Sequence, residues 1–271
     1  MINFLMCWNN SYQVNYDINP WMHNQQHNVD TEKAYNEFIT LRSKLENSGA
    51  EIYYFNIYDN VIPDIVFTAN YGIVKNKKCL LSNFFFEERT REIPHIKKMI
   101  NDVGYSIYEI PENIKFEGAG DCLLDPFRPI AWLGFGFRSS INAKKYVEEF
   151  YGDEITVRQL RLIKDNFYHL DTCFCPLQSG HVVYYDKAFD DYSNYIIDLI
   201  FGDKAICVND EDAYNFVCNA VEVNNNIIVN SGCSKYFKQK MSDIGYNIVE
   251  TSLSEFMKAG GSAKCLTLRL D

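Results

Sequence analysis

A chain of 271 residues with 47% hydrophobic content can build one large globular core, and no apolar run in it is long enough to cross a bilayer. The formal net charge of -10 argues against a surface that neutralises nucleic-acid phosphates or anionic lipid, and it suits a small cationic substrate better. Nine cysteines are an odd number, several of them in apolar strand-like runs, which points to a reduced, cytosolic chain rather than a disulfide framework.

The opening MINFLMCWNNSYQV carries neither the basic segment nor the long apolar core of a secretion signal. Within it FLMCW reads as a strand. The loop YDINPWMHNQQHN that follows is too rich in aromatic and Asn residues for a plain linker, and it could close over a ligand. Asp30 and Thr31 can cap a helix with apolar positions Ala34, Phe38, Leu41 and Leu45, stopped by Gly49. EIYYF is a strand, IVFTA and GIVKNKKCLL form a strand pair with a turn at Lys75 to Lys78, and a helix carries Ile93, Ile96, Ile100 and Val103 before Gly104 and strand SIYEI.

The same order then repeats. DCLLD and IAWLGF, a helix from Ser140 to Tyr151 with Gly152, and EITVRQL form one unit. FYHLDTCFC and HVVYYD, a helix from Phe189 to Phe201 with Gly202, and KAICV form the next. NAVEV and NIIVN, a helix from Lys235 to Ile244 with Gly245, and YNIVET complete the series. Five helices each close on a glycine and lead into a strand, so the chain reads as α/β, in five strand-strand-helix-strand units. No Pro, Gly or Ser-rich linker divides them, and residues 1–271 read as a single domain.

Four polar clusters fall near strand ends in different units: PDIVFTAN with Asp64 and Asn70, FEGAGDCL with Glu117 and Asp121, FYHLDTCF with His169 and Asp171, and KAGGSAKCLTLRL with Cys265. Such spacing suits a site on a central axis. Gly260 and Gly261 let the last loop approach a ligand closely, and Leu266 to Leu270 alternates as a short final strand. A buried cysteine there could equally be core filler. His169 and Asp171, two apart in an expected strand, would project from one face, and an imidazole and a carboxylate are costly to bury without partners. Cysteine, histidine and a carboxylate are the inventory of covalent catalysis. Cys173 and Cys175 sit too close together for the usual zinc-ligand pair.

Taken together, these four motifs resemble the guanidino-group-modifying enzymes, a superfamily including dimethylarginine dimethylaminohydrolase, arginine deiminase and arginine:glycine amidinotransferase. The resemblance runs from the INPWM loop to the last strand. It implies a five-bladed pseudo-symmetric α/β propeller, the pentein fold. It also implies Cys265 as nucleophile, His169 as general acid and base, Glu117 as the residue orienting the imidazole, and Asp171 as a guanidinium anchor. Asn19, Asp64, Arg89, Asp121 and Arg138 fall at substrate-binding positions, the two arginines being those that would grip an α-carboxylate. Three residues rather than two separate Glu117 from Asp121, so either acid could orient His169.

Asn70 stands where deiminases commonly carry an aspartate, and a neutral amide could tolerate an uncharged ureido group. In this, and in INPWM and FTAN, the chain resembles the arginine dihydrolase domain of cyanobacterial enzymes, without their long C-terminal extension and any second activity housed there. The expected reaction takes arginine to ornithine, ammonia and carbon dioxide through a covalent thiouronium adduct, with no metal or cofactor. A single hydrolysis to citrulline, an amidinotransferase and a non-catalytic binding propeller are the alternatives. The expected partner is a small guanidino molecule, neither nucleic acid nor membrane, with a homo-oligomer possible.

Overall fold

The structure is a computed structural model and describes residues 2–270. Its strands are β1 (Ile2–Asn9), β2 (Ala50–Ile57), β3 (Gly72–Lys75), β4 (Lys78–Leu81), β5 (Ser106–Tyr108), β6 (Cys122–Leu124), β7 (Ile130–Phe135), β8 (Thr156–Arg161), β9 (Phe174–Pro176), β10 (Val182–Tyr184), β11 (Ala205–Cys207), β12 (Val221–Val223), β13 (Asn226–Asn230), β14 (Asn247–Thr251) and β15 (Leu268–Arg269). They form five three-stranded sheets, in the orders β3-β4-β5, β6-β7-β8, β9-β10-β11, β12-β13-β14 and β15-β1-β2.

Each sheet repeats one rule. The first pair is antiparallel and the second parallel. A parallel pair needs a crossover, and a helix supplies each one: Thr31–Asn47, Ile93–Asp102, Ala143–Tyr151, Asp191–Phe201 and Lys235–Asp243. The unit that opens the chain lacks a first strand of its own. β15 provides it, pairing Phe4 with Arg269 and Leu5 with Leu268, so the two ends of the chain complete one sheet.

Local chemistry explains the helices. The Asp30 side chain accepts from Lys33 N, and Phe38, Leu41 and Leu45 are fully buried on one face, each contributing about 1.5–3 kcal/mol over exposure. All five helices are followed by the expected glycine at positive φ: Gly49, Gly104, Gly152, Gly202 and Gly245. Asn76 and Lys77 both turn left-handed between β3 and β4, as a two-residue hairpin requires.

Several expectations need correction. IVFTA is not a strand: Pro63–Val66 and Thr68–Tyr71 are 3-10 turns, because side chains and a distant loop take their polar groups out of any ladder. The Thr68 hydroxyl donates to Leu5 O, Tyr71 donates to Ile65 O, and Ala69 N donates to Cys265 O. Glu117 precedes, and Asp121 ends, a helical turn, Gly118–Asp121. His169 and Asp171 do not share a strand face. Leu170–Thr172 is a 3-10 turn and β9 starts only at Phe174, because Asp121 Oδ1 captures Leu170 N at 3.1 Å and the Thr172 hydroxyl turns back to His169 O at 2.6 Å. The final strand is two residues long, since Ala263 to Leu266 are still turning. Among the described residues no helix is long and apolar enough to cross a membrane.

Candidate active site

The polar motifs lie on irregular turns between and ahead of the strands, and the fold brings them together. Asn19, from the INPWM loop, joins Asp64, Asn70, Arg89, Arg138, His169 and Cys265 around one pocket, with Phe67, Tyr168, Gly260 and Gly261 completing its wall. All seven polar or reactive groups are at most 8% exposed. Glu117, Asp121 and Asp171, each fully buried, stand behind that wall. The side chains close around only about 10 Å³. The cover is the INPWM loop: Asn19 Nδ2 donates to Ala259 O at 3.1 Å, Ile18 O accepts from Arg138 at 2.8 Å, and Trp21 Nε1 reaches Asn166 O at 2.7 Å.

The choice between the two acids is visible in the contacts. Glu117 Oε2 lies 2.6 Å from His169 Nε2 and accepts from Arg138 at 3.2 Å, while Oε1 accepts from Phe85 N. Burial alone would raise this carboxyl, but Arg138 and the imidazole outweigh it and hold it well below its ordinary value. Asp121 bonds Ser139 Oγ at 2.6 Å and Leu170 N instead, supporting the turn that carries the histidine. Burial pushes Asp121 up to about 6. Gly120 lies beneath both neighbours: a Cβ there would come 2.2 Å from the Asn70 amide and 3.4 Å from the imidazole, so the motif needs a glycine at this position. At Gly261 and Gly260 a Cβ would strike Phe67 at 2.3 Å and the Tyr168 hydroxyl at 2.6 Å, so the close approach expected of this loop is made to the pocket's own wall.

Cys265 faces Asp171. Its thiol donates to Asp171 Oδ2 at 3.5 Å, and Asn219 Nδ2 donates to the sulfur at 3.1 Å. Burial and the neighbouring carboxylate push the thiol well above its ordinary value. Burial likewise pushes Asp171 up to about 7, against the opposing charge of Lys264. Asp171 Oδ1 and Asp64 Oδ1 are buried without a hydrogen-bond partner among the described residues, which leaves two acceptors for a cationic ligand.

The arginines are held rigidly. Arg89 makes a bidentate pair with Glu92 at 2.7 and 2.8 Å, donates to Asn70 Oδ1 at 2.8 Å, and reaches Asp64 O. Arg138 is sandwiched between Phe86 and Tyr168, 4.6 and 4.4 Å from their ring centres. Glu92, Tyr168 and Asn219 join the site without having been expected from the sequence. Glu92 stands three residues from Arg89, a helical spacing that could have flagged it; Asn219 carries no local signal. A second cavity, of about 390 Å³, is mostly apolar and lined in part by Cys175, Glu222, Lys264 and Arg269, so adjacent residues of one segment line the two spaces.

Comparison with known proteins gives this geometry its context. The chain is 43% identical over 275 residues to the bifunctional arginine dihydrolase/ornithine cyclodeaminase ArgZ of Synechocystis sp., covering 99% of this chain but only 38% of that protein. It is 31% identical to the N(G),N(G)-dimethylarginine dimethylaminohydrolase of Mycobacterium tuberculosis, covering 96% of this chain and 82% of that one. The solved N-terminal domain of ArgZ, a cysteine-to-serine mutant bound to substrate, superposes with a TM-score of 0.95 at 42% identity, covering 100% of this chain and 98% of that domain. A family model described as N,N dimethylarginine dimethylhydrolase, eukaryotic, matches residues 6–270. The chain belongs to the dimethylarginine dimethylhydrolase family.

Proposed function

We propose that this chain is a single guanidino-hydrolase catalytic domain that acts as an arginine dihydrolase. The observation that carries the reading is the buried meeting of the Cys265 thiol, the Glu117–His169 pair and the half-satisfied Asp171 carboxylate around one pocket. The choice of a dihydrolase draws support from the 42% identity to the N-terminal domain of ArgZ, a protein named as an arginine dihydrolase and solved with substrate and with product.

In this mechanism the substrate guanidinium binds through Asp171 Oδ1 and Asp64 Oδ1, and the rigid Arg89 and Arg138 meet the α-carboxylate. Asp171 must ionise to hold the cation, and the positive charge of the bound guanidinium then offsets the carboxylate that otherwise favours the thiol. Cys265 gives its proton to His169 and, as the thiolate, attacks the guanidinium carbon. His169, held by Glu117, protonates departing ammonia, and water hydrolyses the thiouronium adduct to a ureido group. A second attack on that group releases the second ammonia, and hydrolysis of the remaining carbamoyl group yields ornithine and carbon dioxide. The sum is arginine plus two waters to ornithine, two ammonia and carbon dioxide. The neutral Asn70 amide, fixed by Arg89, holds the uncharged intermediate for this round. One solved form of the ArgZ domain, with an asparagine changed to serine, is covalently bound to a reaction intermediate, which fits such a role.

We infer further that the five sheets close into a five-bladed propeller. The first strand of every sheet (β3, β6, β9, β12 and β15) contributes residues to the wall of the single 390 Å³ cavity, as inner strands around one axis would. Nine unpaired cysteines, eight of them buried, fit work in the reducing cytosol.

The test is to incubate the protein with arginine and follow amino acids and ammonia over time. Ornithine with two ammonia per arginine and little free citrulline is the expected result. Accumulating citrulline would discard the second round, and no turnover of arginine would move the substrate to methylated arginines, the reading that the relationship to the M. tuberculosis enzyme favours next.

A further inference from the structure

Asn219 lies outside every strand and helix, between the short helix Asp210–Tyr214 and β12, and is fully buried. Three of its hydrogen bonds reach the nucleophile segment, and a fourth reaches Asp171. Its backbone oxygen accepts from Lys264 N at 3.2 Å, its Oδ1 accepts from Cys265 N at 3.2 Å, and its Nδ2 donates to Cys265 Sγ at 3.1 Å and to Asp171 O at 2.9 Å. The backbone N–H of Cys265 fixes which end of the amide is oxygen, so the amino group has to face the sulfur. Both of its hydrogens are then used, one on the thiol sulfur and one on the residue that accepts the thiol proton.

The segment is held against a backbone cost. Phe216, three residues earlier, sits at φ 61, where large side chains are rare, and it accepts Asn219 N at 3.0 Å. The Phe216 ring in turn packs 4.6 Å from Trp21 of the covering loop.

We propose that Asn219 is the positioning residue of the nucleophile, setting the balance between thiol and thiolate at Cys265. This rests on the reading of Cys265 as nucleophile. Two contacts on one sulfur oppose each other. Asp171 accepts the S–H and favours the thiol; the Asn219 amino group donates to sulfur and favours the thiolate, because a donor is worth more on an anion than on a neutral atom. When a guanidinium engages Asp171, the first hold is released while the second stays. Asn219 thus supplies the donor that meets the sulfur once its proton has gone.

The experiment measures the pH dependence of iodoacetamide alkylation at Cys265, read on its own peptide by mass spectrometry because Cys207 is exposed and also reacts. It is run on the wild type and on the Asn219→Leu and Asn219→Asp variants, with kcat and KM for arginine alongside. Aspartate keeps the size of the side chain and the acceptor for Cys265 N, and so serves if leucine unfolds the protein. The expected result is an alkylation midpoint raised by about one pH unit or more in both variants, with kcat falling roughly 10- to 100-fold and KM changing less than about threefold. Folded variants with an unmoved midpoint and kcat within about twofold of wild type overturn the inference. A wild type that turns over no arginine overturns the dihydrolase reading instead, and the alkylation profile still decides the role of Asn219.

Discussion

Two spaces in the fold meet at consecutive residues and differ in almost every physical respect. The pocket around Cys265 is nearly filled, about 10 Å³, and is ringed or backed by Asp64, Arg89, Glu117, Arg138, His169 and Asp171; the cavity beyond Lys264 is about 390 Å³ and mostly apolar. Volume alone would choose the larger one. Burying so many ionisable groups is costly unless each is paired; around the smaller space Arg89, Glu117, Arg138 and His169 are paired, while Asp64 and Asp171 each keep an oxygen without a partner among the described residues. The candidate site is marked by concentrated buried charge rather than by empty space, and the INPWM loop forms part of its wall.

The largest expected break is Cys265→Ser, which lowers arginine turnover by more than roughly a thousandfold in a steady-state ammonia assay while leaving the fold intact. Glu117→Gln removes the ion pair that holds His169 and lowers kcat by roughly a hundredfold or more. It also changes the acid limb of stability. Because the Glu117 carboxyl is held below its ordinary value, it stabilises the fold in full above that value, and the contribution is lost progressively as pH falls from there toward the lower value it has in the fold. Urea titrations from pH 3 to 7 should therefore show a shallower acid decline in the variant.

Asp171 has the opposite sign. Its carboxyl is raised to about 7, so its contribution to stability is full below the ordinary aspartate value and is lost as pH rises toward 7. A bound guanidinium requires the charged form. Arginine binding to the Cys265→Ser protein should weaken as pH falls below about 7 and release protons near pH 6, read by calorimetry in two buffers of different ionisation enthalpy. The smallest effect belongs to the other space: Cys175→Ala, on the wall of the larger cavity, should cost about 1 kcal/mol of stability and leave kcat within about twofold. A large loss of activity from that variant would abolish the distinction between the two regions.

The parts of this protein that repeat were legible in its sequence. Helical spacing such as Ala34, Phe38, Leu41 and Leu45, with a glycine after each helix, located five crossover units, because amphipathic period and left-handed stops are local properties of the chain. The motif residues were legible as candidates for the same reason: acids, an imidazole and a thiol near strand ends cannot be buried cheaply. Local rules failed where side chains compete with the ladder. The turns at Pro63–Tyr71 and Leu170–Thr172 look like strands in apolar pattern, but Asp121, Thr68 and the carbonyl of Cys265, reaching across the fold, help to divert their backbone groups. The partner of His169 was likewise undecided between two acids four residues apart until one helical turn aimed Glu117 at the ring and Asp121 at the backbone. Sequence by itself determined the units, their order and the inventory of reactive groups. The tertiary structure alone decided the pairing of the chain ends through β15, the choice of Glu117, and the hold of Asn219 on Cys265, because each depends on contacts between residues far apart in the chain.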